Sequence, residues 1–232
     1  MDFKGFEVIW NNLDYLLWGN FPGGIVLTLL MSFVAIIFST ILGIFAGIGL
    51  TVCRGFLRQL LVVVLGFLRA IPVIMLIFWT YFLLPVLLNV DVPAIATVIF
   101  ALSLIGGAYI GHSVHAGMVA IAKEQWQAAF SLGLNKKQVI FFIILPQALK
   151  MMLPSFVNQW VSLIKDTSLA YIVGVAEFTF IATQINNRSM VYPTEIFLFV
   201  IIVYFIICAA LDFSVSVLPK LHLFTRRKKI NI

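Results

Sequence analysis

The chain has 232 residues, of which 62% are hydrophobic and only 10% are charged. Soluble domains are about half apolar and about a quarter charged. Nine acidic and fifteen basic residues cannot cover a water-facing surface of this size, which argues against a soluble enzyme and against disorder. The composition therefore indicates an integral membrane protein. The net charge of +6 does not indicate nucleic acid, because the basic residues do not cluster with aromatic ones.

Several chemical classes are disfavoured by what the sequence contains. It has no Gly-x-x-x-x-Gly-Lys-[Ser/Thr] pattern, so we expect no P-loop ATPase in this chain. Cys53 and Cys208 lack a pairing spacing, so neither a disulfide nor a metal framework is expected. The acidic N-terminal segment lacks the basic start of a cleavable signal peptide, so the first apolar run is expected to remain in the mature protein.

Apolar runs in chain order predict about five membrane spans, since a helix needs about 20 apolar residues to cross a bilayer. The runs cover residues 24–50, 58–89, 92–122, an interrupted stretch from 151, and 194–218. The fourth run contains Lys165, Asp166 and Glu177. It is either one broken span or a span followed by a re-entrant segment.

Pairs of glycines four residues apart occur in the first and third predicted spans. Gly43 and Gly47 form one pair, and Gly107 and Gly111 form the other. Small residues at this spacing allow helix backbones to approach closely in a membrane. We therefore expect close helix packing at both pairs.

The charges predict the orientation of the chain in the membrane. Short polar segments rich in lysine and arginine face the cytoplasm, whereas acidic ones are not constrained in this way. The rule therefore predicts an outside N-terminus and a cytoplasmic C-terminus, and the fold class is an all-α integral membrane protein. The basic residues on the predicted inner side are Arg54, Arg58, Lys123, Lys136, Lys137, Lys150, Arg226, Arg227, Lys228 and Lys229, and the predicted outer side carries Asp2, Glu7, Asp14, Asp91 and the segment 188–195.

The polar segment before the fourth run is predicted to be a rigid helix–turn–helix. Residues 124–132 are good helix formers, and Gly133 follows where a left-handed C-terminal cap is expected. Asn135 and Gln138 have the spacing of a capping box at the start of a second helix, which would extend to about residue 145. Pro146 would bend or restart the chain. An ordinary hairpin on the membrane surface is the alternative reading.

Five segments resemble one family. The sequence EQWQAAFSLGL at 124–134, followed by ILPQA at 144–148, resembles the signature loop of ABC-importer permease subunits. More narrowly, it is similar to permeases of the polar amino acid family, which serve histidine, glutamine, arginine and glutamate importers. The same resemblance extends to RAIP at 69–72, AY at 108–109 and KDTSL at 165–169.

The resemblance implies one permease domain over residues 1–232, with a coupling loop at about 122–148 that inserts into a cytosolic ABC ATPase. Two ATPase copies would bind ATP and Mg²⁺, and this chain would hold no cofactor. A second permease subunit, identical or paralogous, and an extracytoplasmic amino-acid-binding protein would complete a multi-pass assembly in the cell inner membrane. Gln127 stands where relatives often carry glutamate, so no ion pair is available there. The implied coupling residues are Glu124, Gln127, Ala128, Ala129, Gly133 and Pro146.

Charged residues inside the fourth run are candidates for the substrate pathway. An ionisable side chain in a span costs at least about 2.5–3.5 kcal/mol, so it indicates function by default. Lys165 and Asp166, with the hydroxyls of Thr167 and Ser168, offer groups that match a zwitterion. The alternative is a structural ion pair to another span. Glu177 caps a helix, lines the path or faces external water; the sequence leaves these three roles open.

Three further residues are pathway candidates with open alternatives. Arg69 is either an interfacial anchor or faces the pathway. His112 and His115 share one helix face, but no third ligand completes a metal site, and packed neutral histidines are the alternative. Members of the family that the chain resembles commonly have glutamate at the position of His112 and arginine at that of His115. The resemblance implies that the position of His112 belongs to the substrate pocket. A cationic substrate is therefore less expected, or the chain is the half of a heterodimer without a working pocket.

The predicted function is ATP-driven import of a polar L-amino acid by alternating access, with glutamate, aspartate and glutamine as the favoured group. The chain itself would not be an enzyme. One alternative is a secondary transporter driven by an ion gradient, with Asp166, Glu177 and the histidines as a proton relay. Such transporters often contain internal repeats, and none is convincing here. The other alternative is a membrane scaffold that anchors a cytosolic partner.

Overall fold

The computed structural model describes residues 4–89 and 91–227, and the side chains of residues 5–89 and 91–215. Asp2, Lys228 and Lys229, which entered the orientation argument, lie outside the described residues. A π-helical turn, Val139–Ile144, precedes α9, and a 3₁₀ helix, Thr167–Val173, follows it. The α-helices are α1 Lys4–Asn11, α2 Leu13–Trp18, α3 Gly24–Val52, α4 Gly55–Ala70, α5 Val73–Leu88, α6 Ala94–Ala120, α7 Lys123–Ser131, α8 Lys136–Gln138, α9 Leu145–Asp166, α10 Phe178–Ser189 and α11 Pro193–Arg227.

The helix lengths confirm an all-α membrane fold with about five spans. Within the described residues, four continuous helices are long and apolar enough to cross a membrane. The pair α4 and α5 passes the same test together, with a bend of 105° at the break between them. Pro72 explains the break, because it forces Ile71 into an extended conformation (φ −75°, ψ 136°) that ends α4. The four continuous helices are Gly24–Val52, Ala94–Ala120, Lys136–Val173 and Pro193–Val215.

The helix predicted to start after the Asn135 capping box and the fourth apolar run form one continuous helical path. This path starts at Lys136 and ends at Val173. Pro146 does not end this path: it follows the π-helical turn Val139–Ile144, and the chain continues along α9. Gly174 then adopts a left-handed conformation (φ 78°), and α10 follows as a separate helix of 12 residues.

The structure divides into two compact units. The first comprises the described residues of Met1–Ala35, Val73–Leu102 and Trp160–Ile232. Its core includes Leu16, Phe178 and Ile181, which are almost fully buried. These residues pack α2 against α10, and α10 in turn contacts α11 and the 3₁₀ helix. The short N-terminal helices and α10 thus form the core around which the first unit is built.

The second unit comprises Ile36–Pro72 and Ser103–Gln159. Within it, α3 and α6 approach closely at the glycine pairs. A Cβ added at Gly47 would lie 2.5 Å from the Cβ of Val114, and one added at Gly43 would lie 2.6 Å from that of Ile110. Since real Cβ atoms do not approach so closely, only glycine fits these two places. The expected close packing is confirmed.

Candidate functional site

The segment 122–148, which we call the coupling segment, contains a well-formed turn between two helices. After α7, Gly133 has φ +80°, a left-handed conformation that favours glycine. The Leu134 N–H donates to the Ala129 carbonyl (3.3 Å), and the Gly133 N–H donates to the Phe130 carbonyl (2.9 Å). These two bonds form a Schellman motif, which satisfies the last carbonyls of α7. The predicted left-handed position is confirmed.

The second helix of the coupling segment begins at a complete capping box. The Asn135 side chain accepts a hydrogen bond from the Gln138 N–H (3.0 Å), and the Gln138 side chain accepts one from the Asn135 N–H (2.9 Å). The predicted capping box is therefore confirmed. The chain next passes through the π-helical turn, in which the Leu145 N–H bonds to the Ile140 carbonyl. Hydrogen bonds therefore hold both ends of the turn, at the last carbonyls of α7 and at the first N–H groups of α8. For this reason we describe the segment as stiff.

Most of the predicted coupling residues face away from the protein. Ala129 differs, since it is only 2% exposed. It lies on the side of α7 that contacts the π-helical turn, where Val139 and Ile140 are also buried. Ala128, its neighbour, points outward. The exposed members of the predicted set are Glu124, Gln127, Ala128, Gly133 and Pro146.

The Lys165–Ser168 segment lies where α9 changes into the 3₁₀ helix. Thr167 is fully buried and donates to the Ile164 carbonyl (2.6 Å), so its hydroxyl is used within the chain. Ser168 donates to the Lys165 carbonyl (2.7 Å). The Lys165 side chain is exposed and Asp166 is partly buried. Lys165 and Ser168 line a cavity of the first unit, whereas the Thr167 hydroxyl is bonded to the helix backbone.

Glu177 is the centre of a buried polar network in the first unit. It is 0% exposed, and its carboxylate accepts hydrogen bonds from the N–H groups of Thr179 (2.9 Å) and Phe180 (2.8 Å). The Tyr204 hydroxyl donates to it at 3.2 Å, and Thr28 Oγ1 lies 3.5 Å away. Of the three roles that the sequence left open, the structure shows the helix cap. We call these five residues the Glu177 cluster.

Arg69 interacts with a tyrosine of α6 in the second unit. Its guanidinium lies over the ring of Tyr109, 5.2 Å from the ring centroid, at a distance typical of a cation–π contact. The Tyr109 hydroxyl donates to the Arg69 carbonyl (3.3 Å). These contacts place the end of α4 beside α6, while the Arg69 side chain stays exposed.

The two histidines of α6 have different surroundings. His115 Nδ1 lies 2.9 Å from Thr51 Oγ1, and Thr51 also donates to the Gly47 carbonyl (2.9 Å). Since Thr51 has a single hydroxyl proton, Nδ1 of His115 is the donor when Thr51 bonds to Gly47. Among the described residues, Nε2 of His112 is buried without a hydrogen-bond partner. The same part of the chain contains no group of three or more histidine, cysteine or acidic residues placed to hold a metal.

These features define a helical membrane protein with several spans and a stiff, exposed helix–turn–helix. The family described as binding-protein-dependent transport system inner membrane component matches residues 39–221, which is most of the chain. The chain belongs to this family, the membrane permease subunits of ABC transporters, and these subunits are not themselves catalytic.

Curated relatives cover most of the chain. It is 36% identical over 195 residues to the probable glutamine ABC transporter permease protein GlnP of Bacillus subtilis, covering 83% of this chain and 87% of the relative. It is 31% identical to the glutamine transport system permease protein GlnP of Escherichia coli K12, covering 82% and 87%. Identity to the L-cystine transport system permease protein TcyB of Bacillus subtilis is 29%, covering 93% and 92%.

Solved structures share the fold. The structure of an amino acid ABC transporter with histidines has a TM-score of 0.80 at 22% identity, covering 98% of this chain and 99% of that chain. An inward-facing methionine transporter, MetNI, has a TM-score of 0.72 at 19% identity, covering 84% and 92%. At these identities the likeness concerns the fold alone.

Proposed function

We propose that the chain is the membrane-spanning subunit of an ATP-driven importer for a polar L-amino acid, with glutamine, glutamate and aspartate as the favoured group. The observation that carries the proposal is the family match over residues 39–221. The names of the relatives support an amino acid substrate, since two are glutamine permeases and one is an L-cystine permease. The basic segments support an outside N-terminus and a cytoplasmic C-terminus.

The coupling segment is the contact for the ATPase in this proposal. Two copies of a cytosolic ATPase bind ATP and Mg²⁺, and each docks on one coupling segment. The Schellman motif and the capping box support this role, because a segment that passes movement from the ATPase to the spans must keep its own conformation. The exposed side of α7, with Glu124, Gln127 and Ala128, is the docking face. Closure of the ATPases then moves the spans and alternates access to the substrate pathway.

The substrate pathway follows the ionisable groups of the spans. It is proposed to contain Lys165 and Asp166, with their neighbouring hydroxyls, and Arg69 and the two α6 histidines. Residues 1–232 act as one permease domain beside a second permease subunit, identical or paralogous. An extracytoplasmic binding protein delivers the amino acid, so the permease needs no high affinity of its own.

Reconstituted uptake tests this function. The chain is placed in proteoliposomes with the ATPase and the binding protein of the same genome, and labelled glutamine, glutamate, aspartate, cystine and arginine are supplied separately. Uptake is expected with ATP and absent with an ATPase variant that binds ATP without hydrolysing it. Uptake driven by an ion gradient in the absence of ATP would favour a secondary transporter. Absence of uptake under every condition would favour a scaffold.

A further inference from the structure

The first α-helix is too short to cross a membrane, and one side of it is held by the protein. Its eight residues, Lys4–Asn11, extend about 12 Å, whereas the hydrocarbon core of a bilayer is about 30 Å thick. A Cβ added at Gly5 would lie 2.7 Å from Cγ of Glu195, near the start of α11. Ile9 is buried in the core of the first unit, together with Ile196. Helix α1 is therefore fixed against the beginning of α11.

The exposed part of α1 has two chemically different sides. Successive residues of an α-helix are about 100° apart, so the buried pair at positions 5 and 9 lies at about 0° and 40°. Phe6 and Trp10 follow at about 100° and 140°, and they are 50% and 76% exposed. Glu7 and Asn11, which are also exposed, lie at about 200° and 240°. Around its axis the helix thus presents protein contacts, then large aromatic rings, then polar groups.

Helix α1 lies at the level where two spans enter the membrane. After Asp14 in α2 the sequence has no charge until Arg54, and after Glu195 it has none until Asp212. Because charged residues are costly within lipid, the membrane boundary lies close to Asp14 and Glu195. Gly5 packs on Glu195, which places α1 at this boundary.

Further exposed apolar groups lie at the same level. Trp18 and Phe21, which precede α3, are both exposed, and their ring centroids lie 6.3 Å apart. Phe197 and Leu198, which follow Glu195 in α11, are exposed as well. Tryptophan is enriched where the hydrocarbon of a membrane meets the headgroups. Exposed aromatic and apolar side chains are therefore concentrated where α3 and α11 begin.

We propose that α1 lies in the membrane interface, with Phe6 and Trp10 inserted at the boundary between headgroups and acyl chains and with Glu7 and Asn11 in water. The partner of this surface is the lipid bilayer on the side where α3 and α11 begin, and Trp18 belongs to the same interfacial layer. The inference requires only that the chain spans a membrane, so it does not depend on which substrate is imported.

The insertion is apolar and not electrostatic. Interfacial helices that are attracted to anionic lipids carry lysine and arginine on their polar side. Among the described side chains of α1, the single charged group is the Glu7 carboxylate. Insertion should therefore be as deep in neutral vesicles as in anionic ones. A docked soluble protein fits this surface less well, because the aromatic side would face water whenever that protein is absent.

Spin labels measure this arrangement directly. The assembled importer, with both native cysteines changed to serine, is placed in phosphatidylcholine vesicles and carries one label at a time. The labelled variants are Phe6→Cys and Trp10→Cys on the aromatic side, with Glu7→Cys and Asn11→Cys as matched controls on the polar side. Collisions with oxygen, which concentrates in lipid, are compared with collisions with a water-soluble nickel complex. Labels at positions 6 and 10 should report a depth of about 5–10 Å into the boundary layer, and those at 7 and 11 should collide mainly with nickel.

Hydrogen exchange tests the native side chains, in case a label perturbs the helix. Trp10→Ser should raise the exchange rate of the α1 amides in vesicles about tenfold, the factor for losing roughly half of the burial of a large apolar side chain. Trp10→Phe keeps an apolar ring and should raise the rate much less. Asn11→Ser, on the polar side of the same turn, should leave the rate close to that of the unchanged chain.

Three outcomes would overturn the proposal. Equal collision with the nickel complex at all four labelled positions would place the whole helix in water. Shielding of positions 6 and 10 from both probes that develops only when the binding protein is added would assign the surface to that protein. A depth at positions 6 and 10 that requires phosphatidylglycerol in the vesicles would reject apolar insertion.

Discussion

The coupling segment and the Glu177 cluster hold the backbone in opposite ways. In the coupling segment, the bonds that fix the turn join residues three to five apart, as between Asn135 and Gln138. Of the residues that make them, Phe130, Gly133 and Asn135 are exposed, Leu134 and Gln138 are partly exposed, and Ala129 is buried. In the Glu177 cluster, the carboxylate is fully buried, and its partners include Tyr204 and Thr28, which are 27 and 149 positions away.

This difference teaches where each region can tolerate change. A local, exposed turn loses about one hydrogen bond when a partner is removed, and water replaces the lost bond. A buried carboxylate that joins three helices cannot be replaced by water, so its removal leaves donors unpaired. We therefore expect substitutions in the Glu177 cluster to lower stability and substitutions in the coupling segment to change the contact with a partner.

The largest expected effect follows from Glu177→Leu. The change leaves the N–H groups of Thr179 and Phe180 and the Tyr204 hydroxyl without their acceptor. Each buried unpaired group costs about 1–3 kcal/mol, so the free energy of unfolding should fall by about 3 kcal/mol or more. Thermal unfolding of the purified chain in detergent measures this. Glu177→Gln keeps one acceptor oxygen and should lose less, and equal unfolding temperatures for all three proteins would contradict the prediction.

A smaller effect is expected for Gly133→Val. A Cβ at Gly133 would have no atom within 4 Å, so the substitution meets no clash. The penalty comes from φ +80°, which costs a residue with a Cβ about 1–2 kcal/mol. The turn should open, and less ATPase should co-purify with the chain while the unfolding temperature changes little.

Gly133→Asn is the matched control for the turn, because asparagine adopts the left-handed conformation more readily than other residues. It should retain most of the ATPase. If asparagine and valine reduce association equally, the loss reflects a blocked contact surface and not the backbone conformation.

The coupling segment was predictable because its structure obeys local rules. The spacing of Asn135 and Gln138 predicts the capping box, and the position of Gly133 after a run of helix formers predicts the left-handed turn. The structure has both. The break expected at Pro146 was wrong, because the helix predicted from Lys136 continues to Val173, although Lys136 and Lys137 carry the charge of a polar segment. Charge marks the membrane boundary and not the helix boundary.

The contacts of the Glu177 cluster could not be predicted from residue spacing in the sequence. Nothing local connects Glu177 with Thr28, because their pairing depends on how α3 and α10 pack. One signal was present in Tyr204, which lies inside an apolar run and not at its edges. A tyrosine at that depth needs a hydrogen-bond partner. That need indicates a buried acceptor but does not say which residue supplies it.

The smallest effect is expected for substitutions of Asn135 in the capping box, which test whether the coupling segment and the Glu177 cluster are stabilised independently. Asn135→Ala removes the acceptor for the Gln138 N–H and should cost about 1 kcal/mol, whereas Asn135→Asp keeps an acceptor and should cost less. Hydrogen exchange of the assembled importer measures both variants. A local cap predicts faster exchange at residues 136–139 in the alanine variant and unchanged exchange around Glu177. Faster exchange in both regions would show that the coupling segment stabilises the whole chain, and the contrast between the two regions would then fail.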